Sequence, residues 1–282
     1  MQSVTTSRWF RRLQGVLTLC GLVAILLTQS RCLPIDDPRE KIEELRVLGV
    51  KAEPPSAKPG ASVTVSALTA NPENAATTLT WYLCNAPSDA QDGCSENSGG
   101  TKLGTGTSTT LKVPADYLNA ELTPAEKKNG RYLVVTLVAK AEKETVVSTK
   151  RIVVQETPTN KNPSLQDLKL FDTDGTTVMN QPWSLKLESN YKIEASVTTD
   201  SRETYSRTDL QGQTQDAKER LYISWYLTEG SYEKGYLSKP DDLANVLQTP
   251  KESPKEKEVT LFLILRDGRG GVDWKTFQLT LP

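Results

Sequence analysis

The chain has 282 residues, with 34 lysines and arginines, 35 aspartates and glutamates, and no histidine. At roughly 150 residues per domain, this length favours two domains. A formal net charge of −1 excludes the basic surface field that nucleic-acid binding needs. The absence of histidine excludes catalytic systems built on an imidazole and excludes histidine-ligated zinc.

The N-terminal residues have the composition of an export signal. Residues 1–31 contain four arginines and no acid, and an apolar run from Val16 to Leu27 follows the first three arginines. This run is shorter than the roughly 20 residues that a membrane-spanning helix needs. The pattern predicts a secretory signal peptide over residues 1–31, with an uncleaved membrane anchor as the alternative. Either way, the rest of the chain is exported.

Cys32 lies where signal processing takes place, and the segment resembles a bacterial lipoprotein signal. Its pattern departs from that family, because Gln29 stands where an aliphatic residue is preferred and Arg31 where a small residue is preferred. Cleavage before Arg31 by an ordinary signal peptidase is therefore the alternative. An unmodified Cys32 would be a free thiol in an exported protein, so we predict that it carries acyl chains such as palmitate. Several acyl chains would attach the protein stably to a membrane.

Residues 32–45 form a predicted tether ahead of the first domain. Asp37 and Pro38 suit the N-cap and the first position of a helix, and the charged stretch 39–44 follows them. One or two helical turns are expected there.

The two remaining exported cysteines, Cys84 and Cys94, bracket a short loop rich in turn-forming residues. Two cysteines so placed in an oxidising compartment predict a disulfide, which would stabilise the fold by about 2–3 kcal/mol. The alternative is a metal site, but two sulfurs are too few ligands for one.

Strand patterns dominate from residue 46 onward. Apolar and polar residues alternate in Ser62–Leu68 and again in Tyr191–Val197, which is typical of half-buried strands. No amphipathic helical pattern is long enough to cover a parallel sheet, so the sequence favours antiparallel β-structure.

An internal repeat divides the exported chain into two similar halves. Leu79–Leu83 (LTWYL) matches Ile223–Leu227 (ISWYL), and further along Val135–Leu137 matches Val259–Leu261. In each half, the tryptophan and its alternate neighbours are expected to face a core, while the tyrosines face the other way.

The boundary between the halves lies in Gln155–Leu165, which has the composition of a linker. We predict an all-β protein of two tandem immunoglobulin-like antiparallel β-sandwiches, over residues 46–156 and 165–282, joined by the linker 157–164. The linker composition also suggests a limited interface between them.

Several segments carry a resemblance to known families. Gly130–Leu137 and Val259–Trp274 resemble the last strands of bacterial immunoglobulin-like repeats of the polycystic-kidney-disease type. The Cys32 signal, together with Arg46–Val50 and Trp81–Cys84, is similar to cell-envelope lipoproteins of the myxobacterial type. The resemblance implies this fold and an outer-membrane location, on the periplasmic or the surface side. It supplies no catalytic residues.

Two turn sequences contain the aspartate and glycine residues that also occur in ligand-binding loops. Phe171–Gly175 (FDTDG) is similar to part of a calcium loop. Leu170 stands where that loop needs an acid or an amide, and Gln181 stands where it needs a glutamate, which favours a plain Asp-Gly turn. In Asp267–Gly271 (DGRGG), the glycines suit a hairpin that needs positive φ.

The tyrosines beside the repeated tryptophans are the candidate binding residues. Tyr82, Tyr222 and Tyr226 are expected on outer sheet faces, where an aromatic strip binds a sugar ring or a partner protein. The alternative is that neighbouring long side chains cover them.

The sequence therefore predicts a non-catalytic, membrane-attached envelope lipoprotein that acts as an interaction or spacer module for an envelope protein. No cofactor, metal or nucleic acid is expected. The alternative is a carbohydrate-binding module at the cell wall or on external polysaccharide. An enzyme is unsupported, because no motif fixes two carboxylates across a cleft.

The processing of the N-terminus is directly testable. Mass spectrometry of the mature N-terminal peptide is expected to show Cys32 as the first residue with acyl chains attached. An unmodified N-terminus at Arg31 would remove lipidation and leave export intact.

Overall fold

The computed structural model describes residues 39–72, 75–84, 93–208 and 213–282. The predicted signal peptide and Cys32 lie outside these residues. The described chain consists mainly of β-strands, with one short α-helix, α1 (Pro124–Asn129), and 3-10 turns at Glu96–Ser98 and Thr199–Ser201. None of the helices in these ranges has the length and apolar character to cross a membrane.

The first sandwich packs a three-stranded sheet, in the order β1-β3-β6, against a five-stranded sheet, β2-β8-β7-β4-β5. Neighbouring strands are antiparallel, except that β2 runs parallel to β8. Its strands are β1 (Arg46–Glu53), β2 (Ser56–Ala57), β3 (Ser62–Ala70), β4 (Thr78–Cys84), β5 (Gly100–Thr105), β6 (Ser108–Lys112), β7 (Arg131–Lys140) and β8 (Thr145–Val154).

The second sandwich has two four-stranded sheets, β15-β16-β11-β9 and β10-β18-β17-β14, and a separate hairpin of β12 and β13. Here β10 runs parallel to β18. Its strands are β9 (Leu165–Leu170), β10 (Trp183–Ser184), β11 (Asn190–Val197), β12 (Thr204–Thr208), β13 (Thr214–Lys218), β14 (Tyr222–Leu227), β15 (Ser231–Tyr232), β16 (Ala244–Gln248), β17 (Glu258–Arg266) and β18 (Val272–Thr280).

Both sandwiches have the strand order of an immunoglobulin-like fold. In each, the first strand is split between the two sheets, and its second part lies parallel to the last strand. The remaining strands follow the antiparallel order that defines this class. The predicted fold class, all-β with two tandem immunoglobulin-like sandwiches, is therefore confirmed.

The repeated tryptophans are equivalent core residues, as the sequence predicts. Trp81 on β4 and Trp225 on β14 are both 0% exposed. Both tryptophans therefore belong to the cores of their sandwiches.

The strand registers correct the second part of the sequence repeat. Trp81 lies opposite Leu137, whereas Trp225 lies opposite Leu263. The sequence match of Val135–Leu137 with Val259–Leu261 is therefore wrong by two residues. A two-residue shift keeps every side chain on the same face, so the alternating pattern could not distinguish the registers.

Residues 39–45, directly before β1, are not helical, contrary to the expected helical turns, and the predicted cap at Asp37 and Pro38 lies outside the described residues. Lys41 forms a parallel bridge with Leu227 on β14. The Ile42 amide donates to the Leu227 carbonyl at 2.9 Å, and the Leu227 amide donates to the Glu40 carbonyl at 3.0 Å. Because β14 is the edge strand of its sheet, its backbone groups are available for such pairing.

The two core tryptophans differ in how their indole N–H groups are satisfied. Trp81 Nε1 donates to the Gly106 carbonyl at 2.8 Å, whereas the buried Trp225 Nε1 has no acceptor among the described residues. Trp81→Phe is therefore expected to lower the free energy of unfolding by about 1–2 kcal/mol more than Trp225→Phe does. Urea denaturation of the two variants measures this difference. An equal or reversed cost would contradict this account of the two indoles.

Candidate functional site

The structure does not bring the three candidate tyrosines together on one open face. Tyr82, on the first sandwich, packs against Cys84, Cys94 and Val134. Tyr226, on the second sandwich, packs with residues at the junction of the two sandwiches, and its ring lies 6.2 Å from that of Tyr236.

Tyr222 lies four residues before Tyr226, on the same face of β14. It is partly exposed and neighbours Gly268 in the β17–β18 hairpin. All three tyrosines do face away from their cores, but Tyr82 and Tyr226 are half-covered there.

The predicted disulfide is confirmed. Cys84, at the end of β4, is bonded to Cys94, with their Cα atoms 5.6 Å apart. The Cys94 amide donates to Thr136 Oγ1 at 2.9 Å. A Cβ at Gly93 would lie within 3.2 Å of the side chains of Thr136 and Thr149. The chain leading into Cys94 therefore lies on the outer face of β7 and β8, beside Tyr82.

The FDTDG segment forms a self-contained turn. Asp174 accepts hydrogen bonds from the amides of Thr176 and Thr177 at 2.8 and 2.9 Å. These bonds, with that from the Thr177 hydroxyl, lower the pKa of the Asp174 carboxyl to about 2. The carboxylate thus orders its own loop, and no group of three or more candidate metal ligands occurs in the described ranges.

The main feature that the sequence analysis missed is an apolar junction between the sandwiches. Instead of a limited interface, buried side chains from both sandwiches and from the preceding segment form one cluster. It comprises Ile42, Leu48, Ala70, Phe262, Ile264 and Val272.

The two backbones approach closely at this junction. A Cβ at Gly49 on β1 would lie 3.3 Å from the Trp274 ring and 3.4 Å from the Ile264 side chain. A larger residue at position 49 would therefore have to displace the second sandwich or its side chains.

Charged groups at the edge of the junction connect the two sandwiches. Lys51 Nζ lies 3.2 Å from Asp273 Oδ1. The other oxygen of Asp273 accepts a hydrogen bond from the Leu165 amide at 2.9 Å. Asp273 therefore links β1 of the first sandwich to the start of β9.

The predicted linker is fixed by hydrogen bonds to both sandwiches. The Asn162 side chain donates to the Ala52 carbonyl at 2.8 Å and accepts from the Val272 amide at 2.8 Å. Asn160 is buried, and its side chain donates to the Arg269 carbonyl at 3.4 Å. Asparagine is common in flexible loops, but Asn160 and Asn162 here fix the linker to the sandwiches through hydrogen bonds.

The β17–β18 hairpin is built around a buried carboxylate. Asp267 is 3% exposed and accepts hydrogen bonds from the amides of Arg269 and Gly271 at 2.7 and 2.9 Å. Burial raises the pKa of the Asp267 carboxyl, and the hydrogen bonds oppose that rise. Gly268 and Gly270 have positive φ, as predicted. A Cβ on Gly271 would collide with the Asp267 carboxylate, which is a separate reason for glycine.

Comparisons with known proteins add little to this description. No protein-family model matches the chain, and no curated protein matches its sequence. The solved structures that it resembles include the Ig1-2 module of the Drosophila receptor protein tyrosine phosphatase DLAR, at 8% identity and a TM-score of 0.27. That likeness covers 85% of this chain and 99% of that one.

Two further likenesses are at a similar level. A chimeric titin Z1Z2 tandem has 10% identity and a TM-score of 0.25, covering 84% of this chain and 99% of that one. The Bacteroides ovatus glucan-utilization protein SGBP-B, solved with a mixed-linkage heptasaccharide, has 10% identity and a TM-score of 0.24 over 85% and 48% of the chains. Scores this low support no functional argument. The strand order itself defines the class, a tandem immunoglobulin-like β-sandwich protein.

Because Ile264 is buried in the junction cluster, it is expected to couple the unfolding of the two sandwiches. The wild-type protein should unfold in one transition. Ile264→Ala, which removes about 2–5 kcal/mol, should split that transition into two in a calorimetric scan. Ile193→Ala is the matched control, because Ile193 is equally buried but belongs to the core of the second sandwich. Two separate transitions in the wild type would contradict coupling.

Proposed function

We propose that the protein is a bacterial cell-envelope lipoprotein whose two sandwiches act as one rigid, non-catalytic interaction or spacer module. The N-terminal arginines, the short apolar run and Cys32 support export and acylation. The observation that carries the proposal is the junction, where buried apolar side chains, the Lys51–Asp273 ion pair and Asn162 join the sandwiches.

The pairing of the N-terminal segment supports the same function. Glu40 and Ile42 are hydrogen-bonded to Leu227 of the second sandwich. Even when fully extended, the chain from Cys32 to Arg39 reaches only about 25 Å. A lipid on Cys32 would thus hold the module near the membrane surface, through a segment that is fixed to the second sandwich.

A rigid pair of sandwiches suits a spacer or docking role, because it presents a partner surface at a defined distance and orientation from its attachment point. An envelope protein is the proposed partner. Polysaccharide binding through the tyrosines has weaker support, since Tyr82 packs on the disulfide and Tyr226 on the junction.

Membrane attachment through Cys32 is tested by fractionating cells that express the full-length chain. The wild type is expected with the outer membrane, and Cys32→Ala in the soluble periplasmic fraction. Cys20→Ala is the matched control, because Cys20 lies in the predicted signal peptide and should not alter attachment. If Cys32→Ala stays in the membrane, an uncleaved anchor holds the protein and the lipoprotein proposal is wrong.

Rigidity is tested by electron–electron resonance between nitroxide labels on unnatural amino acids at the exposed positions 112 and 194, one on each sandwich. One narrow distance is expected in the wild type, and a broader distribution in Ile264→Ala. A broad distribution in the wild type would rule out a rigid spacer while leaving an adaptable interaction module.

A further inference from the structure

A cavity of about 370 Å³ lies between the two sandwiches. Residues 47–50 of β1 and 148–150 of β8 line one side, and Arg266 and the β17–β18 hairpin line the other. Lys150 and Arg266 are the charged residues of this lining, and both are cations. The first sandwich supplies one cation and the second supplies the other.

Lys150 occupies a position where the alternating pattern of β8 places core-facing side chains. It lies opposite the buried Val135, and Ile152 two residues on is 0% exposed. Lys150 itself is 7% exposed, and its ammonium group donates to the Gly270 carbonyl of the second sandwich. Burial lowers the pKa of Lys150 to about 8. Within the described ranges, Lys150 forms no ion pair with a carboxylate.

Arg266 is likewise hydrogen-bonded to neutral oxygens. Its Nη1 donates to Ser224 Oγ at 2.6 Å, and its Nη2 donates to the Leu48 carbonyl at 3.0 Å. Burial lowers the pKa of the guanidinium. In the part of the chain that the structure describes, Arg266 also lacks a carboxylate partner.

Lys150 is buried and Arg266 is half-buried, so these two cations beside one cavity need a counter-charge, because desolvated charges are costly unless they are paired. The negative charge of Asp267 raises the pKa of Lys150, and the positive charge of Arg266 lowers it. The Asp267 carboxylate is already bound by the amides of Arg269 and Gly271. Even with the charge of Asp267 counted, two cations face one carboxylate, so the cavity keeps an excess of positive charge.

We propose that this cavity binds a small oxyanion, such as sulfate, phosphate or the carboxylate of a small acid, between Lys150 and Arg266. The planar guanidinium offers paired donors that match an oxyanion, and an ammonium with one protein hydrogen bond has two donors left for it. The volume is at the lower end for ligand sites, which fits a small ligand. The bound anion would connect the sandwiches and strengthen their junction.

Isothermal titration calorimetry of the full-length protein with sulfate, phosphate and acetate, in chloride buffer at constant ionic strength, tests this. Saturable binding of at least one of them with one site per chain is expected. Lys150→Met and Arg266→Gln should each weaken it about tenfold or more. Lys192→Gln, at an exposed lysine of the second sandwich, is the control and should bind like the wild type.

The NMR chemical shifts of the backbone amides provide a second test. It uses the wild-type protein alone, so it does not depend on whether the variants fold. In the wild type, titration with the binding anion should move the resonances of Gly268 and Gly270, which line the cavity, before those of the distant turn at Gly175. Absence of saturable heat with all three anions, or undiminished binding by a folded Lys150→Met protein, would overturn the proposal. Shifts spread evenly over the surface would overturn it as well.

Discussion

The architecture depends on the burial of strand β17 on both of its faces. Leu261, Leu263 and Leu265 face the core of the second sandwich, while Phe262 and Ile264 face the junction. A strand in an antiparallel sheet usually has one face in contact with water. Here the second face is covered by β1 and by the segment that precedes it, so the hydrophobic effect acts between the sandwiches as well as within them.

The polar groups around the junction follow from that burial. Once β1 lies against β17 and β18, the backbone groups between them lose contact with water and need partners. Asn162 satisfies one group on each sandwich, and Asp273 binds both Lys51 and the Leu165 amide. The junction therefore combines an apolar centre with directional contacts that define one relative orientation.

The sequence predicts the fold class because period-two patterns and turn residues act locally, as at Trp225 and in the β17–β18 hairpin. The Cys84–Cys94 disulfide was likewise predictable from spacing and compartment. The junction was harder to predict, although it left a signal. The unbroken apolar run from Leu261 to Leu265 is typical of a strand that is buried on both faces.

The role of Asn162 could not be predicted from the composition of the linker. Composition does not distinguish an asparagine side chain in contact with water from one that is hydrogen-bonded to two domains. For Tyr82, Tyr222 and Tyr226, alternation predicts that the side chains point away from the core, but it does not predict which neighbours cover them.

The contacts between the sandwiches also constrain the order in which the chain can fold. Lys51 and Asp273 are 222 residues apart in sequence, and Arg266 and Leu48 are 218 residues apart. Contacts this distant close large loops and form slowly. A chain is synthesised from its N-terminus, so β1 is complete long before β17 and β18 are available. Leu48, which packs in the junction, must therefore stay exposed until the end of the chain arrives, and in this interval the unfinished protein is most prone to aggregate.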